Sequence, residues 1–173
     1  NTNAVLLSPE RAERLLPHTT WIRASVDAGT PETYASLHRA KPADYERVFE
    51  NLAAAARMRD ANGWRCTLGV QMILLPENRS EVGLLAERAR GAGVNYLVIK
   101  PYSQHPMSIT EEFKTVTYDD IEPLQEEVRQ LNTPEFQVVL RVGAIQKWNE
   151  QSRAYTQCNA MRFWTYIDSR ADV

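Results

Sequence analysis

The sequence contains little cysteine and no long apolar run. Its 173 residues include two cysteines, Cys66 and Cys158, and two cysteines so far apart do not make a disulfide framework. The longest uncharged apolar run covers residues 68–76, far fewer than a membrane span needs, and no charged segment followed by an apolar one marks a secretory signal. These features predict a cytoplasmic protein without a membrane partner.

Neither sign of charge dominates the chain. It has 20 Lys and Arg residues against 22 Asp and Glu, which gives a net charge of −2, and the basic residues are scattered. Proteins that bind nucleic acid usually gather their basic residues in one patch, so we expect no nucleic-acid partner. Hydrophobic residues make up 43% of the sequence, enough at this length for a sizeable core.

Residues 65–106 predict a strand, a helix and a second strand. Residues 65–75 are rich in β-branched and aliphatic residues and stop at Pro76. Asn78 and Glu81 have the spacing of a capping box at the start of a helix, Gly91 and Gly93 end that helix, and residues 94–100 form the next strand. Because the connections are short, the segment predicts a βαβ unit with parallel strands.

Strands and helices alternate over most of the remaining chain. Residues 1–7 read as the tail of a strand, and residues 20–26 and 136–143 are predicted strands. Around them we expect a helix capped by Ser8, helices over residues 31–38 and 42–62, and a helix capped by Thr117. This order predicts a parallel sheet with a helical layer, either open or barrel-like. The helix over residues 42–62 carries one stripe at helical spacing: Tyr45, Val48, Phe49, Leu52, Ala55 and Arg59. The helix after Thr117 has its apolar residues at the same spacing: Ile121, Leu124, Val128 and Leu131.

The two faces of the predicted strands differ in polarity. One face is apolar and suits a helix layer, whereas the other collects Arg23, Ser25, Asp27, Thr67, Gln71, Lys100 and Arg141. Each unpaired polar group buried there would cost roughly 1 to 3 kcal/mol, a cost that a ligand in a barrel lumen would remove. The carboxyl ends of the strands, where α/β folds place their sites, carry Ser25, Asp27, Lys100 and Tyr102.

An ordered series of four stretches carries a resemblance to a known family. They are WIRASVDAGTPETYASLH, ENLAAAARMRDANG, LGVQMILLPEN and YLVIKPYSQHP. Together they resemble the second half of a radical S-adenosylmethionine core domain of the kind followed by a cysteine-rich SPASM extension. The resemblance implies the C-terminal half of a partial (β/α)6 TIM-like barrel with parallel strands over residues 1–148, truncated at both ends, and the start of a SPASM-like extension over residues 149–173.

The resemblance further implies a wall of the S-adenosylmethionine site on this sheet. Ser25 and Asp27 match the polar end of the family's fourth strand, which faces the ribose and the carboxylate of the cofactor. Ile73 matches the apolar position of the fifth strand that packs on adenine, and the polar Gln71 joins the site by strand parity alone. Lys100 and Tyr102 belong to the stretch that matches the sixth strand, whose backbone meets the adenine edge.

Iron–sulfur clusters are the other cofactors that the resemblance implies. The family holds a [4Fe–4S] cluster on a CxxxCxxC loop, which this sequence does not contain, so those ligands are expected upstream of Asn1 in a longer protein. Cys158 looks like the first cysteine of a SPASM segment and is the predicted metal ligand of an auxiliary Fe–S cluster. The chain by itself is then expected to be inactive.

The leading functional prediction is a fragment of a radical enzyme. It would supply the ribose and adenine side of the cofactor site for hydrogen abstraction by a 5′-deoxyadenosyl radical from a small-molecule or peptide substrate. The alternative is a non-radical α/β domain that binds a polar small molecule, such as a sugar or a phosphate ester, on the same face. The sequence assigns no catalytic residue to either activity.

Several of these residues also have purely structural interpretations. Ser25 and Asp27 can cap the turn after their strand, Lys100 can be an exposed strand end, and Cys158 can be a buried thiol. Cys66 is predicted to be a buried apolar residue. His38 is assigned no role, because it lies near a helix C-terminus, where a histidine favours the dipole.

Overall fold

The structure is a computed structural model, and it describes residues 1–104, 107–150 and 156–157. In those residues four parallel strands form one sheet: β1 is Trp21–Ser25, β2 is Thr67–Leu74, β3 is Tyr96–Pro101 and β4 is Gln137–Leu140. The strands lie side by side in chain order, and β1 does not pair with β4, so this sheet is open. The predicted α/β class with parallel strands is therefore confirmed.

Helices connect the consecutive strands, as parallel pairing requires. Helix α1 (Pro9–Leu15) precedes β1, α2 (Pro31–His38) and α3 (Pro42–Ala61) connect β1 to β2, α4 (Val82–Gly91) connects β2 to β3, α5 (Glu122–Gln130) connects β3 to β4, and α6 (Val142–Glu150) follows β4. Short 3-10 turns over Leu16–His18 and Arg79–Glu81 extend α1 and lead into α4. Within the described ranges, no helix combines the length and the apolarity that a membrane crossing requires.

The core lies between the sheet and the helices. Alternate strand residues such as Ala24, Val70 and Leu97 are fully buried and belong to one cluster with apolar residues of the helices. Helix α3 contributes the stripe predicted from helical spacing, all of it buried: Tyr45, Val48, Phe49, Leu52, Ala55 and Arg59. One face of the sheet is therefore covered by the helix layer.

Arg59 is a buried cation at the sheet end of that stripe. Its Nη1 donates to Asn95 Oδ1 at 2.6 Å, and its Nη2 donates to the Gly93 carbonyl at 3.1 Å. Asn95 Oδ1 also accepts a hydrogen bond from the Leu68 amide at 2.9 Å. Because the guanidinium has these partners, its burial attaches α3 to the amino ends of β2 and β3.

The residues before α1 lie beside β1. Thr2 forms an isolated parallel bridge with Ala24, in which the Thr2 amide donates to the Arg23 carbonyl at 3.0 Å and the Ser25 amide donates to the Thr2 carbonyl at 2.9 Å. Ser8 then caps α1 as predicted, because its Oγ accepts from the Arg11 amide.

Two predicted boundaries are wrong. Helix α5 begins at Glu122 after Ile121 and not after Thr117, since an earlier start would place Pro123 in the helix interior instead of its first turn. Strand β4 ends at Leu140 instead of residue 143, because α6 begins at Val142.

Candidate functional site

The sheet face opposite the helices carries the polar residues. The strand register places Ser25 beside Gln71 and Ile73 beside Lys100, so these four residues lie on one side of the sheet. We call this side the polar face; it consists of Trp21, Arg23, Ser25, Thr67, Gly69, Gln71, Ile73, Tyr96, Val98, Lys100, Gln137 and Val139. Its exposure is uneven, since Trp21 is 47% exposed and Val98 only 5%.

Ser25 and Gln71 meet at the carboxyl end of β1. The Gln71 amide nitrogen lies 3.5 Å from Ser25 Oγ, at the long limit of a hydrogen bond. Both residues are half-buried. Because this mutual contact is weak, the hydroxyl and the amide keep capacity to bind the hydroxyl groups of a ligand.

The ring of Tyr96 covers the sheet next to this pair. A Cβ atom on Gly69 would lie 2.2 Å from Tyr96 Cζ, so the ring occupies the space that a side chain at residue 69 would take. Ser25, Gln71, Ile73 and Lys100 lie on the carboxyl side of the ring. Ser25, Gln71 and Lys100 thus lie near the edge where parallel sheets bind ligands.

Asp27 is the predicted site residue that turns away from this group. Its φ of 58° breaks the alternation of the strand, and its Oδ1 accepts from the Ile73 amide at 2.6 Å. Its Oδ2 lies 3.4 Å from Nε2 of His38 on α2. With both carboxylate oxygens engaged in this way, Asp27 shapes the loop after β1, and its contact with a cofactor stays a prediction.

His38 completes this arrangement. Its Nε2 lies 2.8 Å from the Val26 carbonyl, which can only accept, so Nε2 carries a proton and Nδ1 titrates. The hydrogen bond to the Asp27 carboxylate raises the pKa of His38, with help from the Val26 carbonyl and against the effect of burial. We predicted no role for His38 from the sequence. It lies 11 residues after Asp27, and no local sequence pattern at that spacing indicates a contact between the two side chains.

Glu81 holds the same loop from the other side. Its carboxylate accepts from the Gly29 amide at 2.7 Å, the Thr30 amide at 3.2 Å and the Thr33 hydroxyl at 2.6 Å. Thr30 Oγ1 also donates to it at 3.0 Å. The predicted capping box of Asn78 and Glu81 is therefore wrong, because Glu81 serves the amino end of α2 instead of its own helix.

Asn78 is fully buried and also bonds away from its helix. Its Nδ2 donates to the carbonyls of Asp27 at 2.7 Å and Ile73 at 2.8 Å, and its Oδ1 accepts from the Leu75 amide at 2.8 Å. These bonds join the end of β2 to the loop after β1. Asn78 therefore organises the backbone where the two loops meet.

Lys100 lies at the carboxyl end of β3, paired in register with Ile73. Burial lowers the pKa of Lys100, and the neighbouring charges of Arg23 and Arg141 lower it further. The half-buried Ile73 offers an apolar surface beside this amine. A charged group and an apolar side chain are therefore adjacent at the edge of the polar face.

Tyr102 continues from β3 into the following loop. Its amide donates to Tyr118 Oη at 2.7 Å, and Tyr118 Oη donates to the Leu74 carbonyl at 2.7 Å. The Tyr102 hydroxyl donates to Gln104 Oε1 at 2.6 Å, and its ring lies 5.6 Å from that of Phe113. The side chain of Tyr102 thus contacts Gln104 and Phe113 of its own loop, and Tyr118 joins the ends of β2 and β3.

The structure describes one of the two cysteines, Cys66. Cys66 is buried on the helix side as predicted, and burial raises the pKa of its thiol. Cys158 lies outside the described residues. Among the residues that are described, no cluster of three or more His, Cys, Asp or Glu residues is placed to hold a metal ion.

No protein-family model and no curated protein matches the chain. A function for the chain is therefore inferred from the geometry of the polar face.

Proposed function

We propose that this chain is the S-adenosylmethionine-binding part of a radical enzyme, with the cofactor lying on the polar face. The observation that carries the proposal is the grouping of Ser25, Gln71, Ile73 and Lys100 across three adjacent strands, with the opposite face covered by helices. The residues fit the cofactor chemically. The Ser25 hydroxyl and the Gln71 amide suit ribose hydroxyls, and Ile73 suits the face of adenine.

The partial barrel belongs to the same proposal. Consecutive parallel strands with a helical layer on one face are the construction of a (β/α)6 barrel wall. The Thr2 bridge lies on the side of β1 opposite β2, where the preceding strand of such a barrel would run. On this basis β1 to β3 correspond to its last three strands, and residues 149–173 begin the SPASM-like extension.

The described residues do not fit an iron–sulfur cluster, since they contain no suitable ligand set. Cys158, which lies outside the described residues, stays a predicted ligand of an auxiliary cluster. S-adenosylmethionine, if bound together with a reduced cluster, would supply the chemistry of radical hydrogen abstraction. Ser25 and Gln71 would orient the ribose, Ile73 would exclude water from the adenine face, and the Asp27 loop would hold β1 in place.

Titration calorimetry with S-adenosylmethionine on a reconstituted protein that carries this chain tests the proposal. Ser25→Ala and Gln71→Leu each remove a hydrogen-bonding partner, which should weaken binding by roughly 1 to 3 kcal/mol. Thr67→Ala is the matched control, because Thr67 is exposed on the same face at the amino end of β2. Unchanged affinity in both site variants would contradict the proposal.

A second candidate is a non-radical domain that binds a sugar or another polar small molecule on the same face. The weak Ser25–Gln71 contact favours it as well, because hydroxyl and amide groups bind sugars without a redox partner. The same titration separates the two functions. If the wild-type protein binds no S-adenosylmethionine while Ser25→Ala weakens the binding of a neutral sugar, the second candidate is correct.

A further inference from the structure

Two basic side chains end neighbouring strands on the polar face, and a third lies nearby. Ile99 pairs with Leu140, and the Arg141 amide donates to the Ile99 carbonyl at 3.0 Å, so Lys100 and Arg141 follow side by side at the carboxyl ends of β3 and β4. Arg141 directly follows Leu140, the last residue of β4, and is exposed. Arg23 is on the same face of β1.

The contacts of these three basic side chains do not neutralise their positive charge. In the described part of the chain, none of the recorded ion pairs involves Arg23, Lys100 or Arg141. Arg23 instead donates to Asn1 Oδ1 at 3.1 Å and lies 5.4 Å over the ring of Trp21, both neutral groups. Among the described residues, Lys100 and Arg141 are therefore two adjacent cations without an ion-pair partner.

The three cations also affect one another. Burial lowers the pKa of Lys100, and the positive charges of Arg23 and Arg141 lower it further, so both guanidinium groups repel the charged form of this amine. Asp27, the acid that follows β1, forms no ion pair with any of the three, because its carboxylate contacts the Ile73 amide and His38 instead. Repulsion of this kind is relieved when an anion binds between the cations.

We infer that Lys100 and Arg141, with Arg23 adding long-range attraction, bind an anionic oxygen group of the substrate, either a phosphate or a carboxylate. This inference rests on the proposed function, because the anion belongs to a substrate only if the chain is part of an enzyme. It adds the chemical class of that substrate. Arg141 suits such a group because a guanidinium donates two parallel hydrogen bonds to it, and Lys100 adds a point charge. The backbone of Lys100 remains the part predicted to meet the adenine edge.

NMR titrations of the reconstituted protein with inorganic phosphate and, separately, with acetate test the inference. Lys100→Met and Arg141→Gln should each raise the Kd of the preferred anion at least tenfold. Lys100→Arg keeps the charge and should stay within threefold of wild type. Arg57→Gln is the matched control, since Arg57 is exposed on α3 in the helix layer, and its Kd should not change.

Preference for phosphate or for acetate identifies which anion the substrate carries, and either result supports the inference. Binding of neither anion would overturn it, as would an equal loss in Lys100→Arg and Lys100→Met, which would indicate a structural effect. Saturating S-adenosylmethionine should leave the Kd of the anion unchanged. If the cofactor abolishes anion binding instead, the cations serve the cofactor's own carboxylate, and the substrate assignment fails while the proposed function stands.

Discussion

Glu81 is the side chain on which the loop after β1 depends most directly. Its carboxylate accepts hydrogen bonds from two backbone amides and two hydroxyls of residues 29–33. In Glu81→Gln one oxygen becomes an amide group, which places a donor against donors. We expect a loss of about 1 to 3 kcal/mol in the free energy of unfolding, measured by urea denaturation. Glu77→Gln is the control, because Glu77 is exposed four residues earlier; equal stability of both variants would contradict the role of Glu81.

His38 gives the loop a pH dependence whose sign follows from its contacts. The Asp27 carboxylate raises the pKa of His38 in the folded state above the unfolded value of about 6.5. The stabilisation is therefore complete below about pH 6.5 and is lost as the pH rises through the folded pKa. The difference in unfolding free energy between wild type and His38→Gln should shrink over that interval. A difference that is constant from pH 5 to 9 would show that the Asp27 contact is not ionic.

At the scale of elements, the packing of β2 against β3 depends on a glycine. Gly69→Ala would place a Cβ atom 2.2 Å from Tyr96 Cζ, so the ring must leave its place over the sheet. We expect a loss of about 1 to 3 kcal/mol, as for other overpacked sites, measured by urea denaturation.

Gly91 offers the matched control for this substitution. A Cβ atom there has no neighbour within 4 Å, and the residue ends α4 without a positive φ. Gly91→Ala should therefore be neutral or stabilise the protein by up to about 1 kcal/mol. If Gly69→Ala is as well tolerated as Gly91→Ala, the ring of Tyr96 does not rest on Gly69.

Most elements could be predicted from the sequence because their signals are local. The apolar stripe of α3 and the alternation along β2 depend on neighbouring residues only, and both were predicted with the correct face. The contacts of Glu81 and Asn78 could not be predicted, since each joins residues about 50 positions apart in the chain. A capping box was the local interpretation of the same two residues. Tertiary bonds to the loop after β1 replaced it.

The first residue of α5 was predicted wrongly for a related reason. The apolar spacing of Ile121, Leu124 and Val128 identified α5, and all three are buried. The spacing does not define the first turn, however, and Pro123 does, because proline is tolerated there and not further inside the helix. Proline position should therefore be weighed before a distant cap such as Thr117.

At the scale of the whole molecule, the two faces of the sheet differ in burial and polarity. The helix-covered face contains the core, and the polar face carries the side chains that a ligand can reach. The polarity difference between these faces was predicted from alternation along the strands, and the register brings Ser25, Gln71, Ile73 and Lys100 together as expected. Asp27 left this group because a single left-handed residue redirects its side chain, which strand parity does not indicate.

The central claim is that Ser25 and Gln71 bind S-adenosylmethionine together, and a double-mutant cycle in cofactor affinity tests it most directly. Calorimetry would compare the wild-type protein with Ser25→Ala, Gln71→Leu and the double variant, each reconstituted under anaerobic conditions. Because the two side chains touch each other and are proposed to bind the same ribose, their effects should be coupled by at least about 0.5 kcal/mol. Wild-type protein that does not bind the cofactor, or a double variant that binds it as tightly as wild type, would contradict the claim.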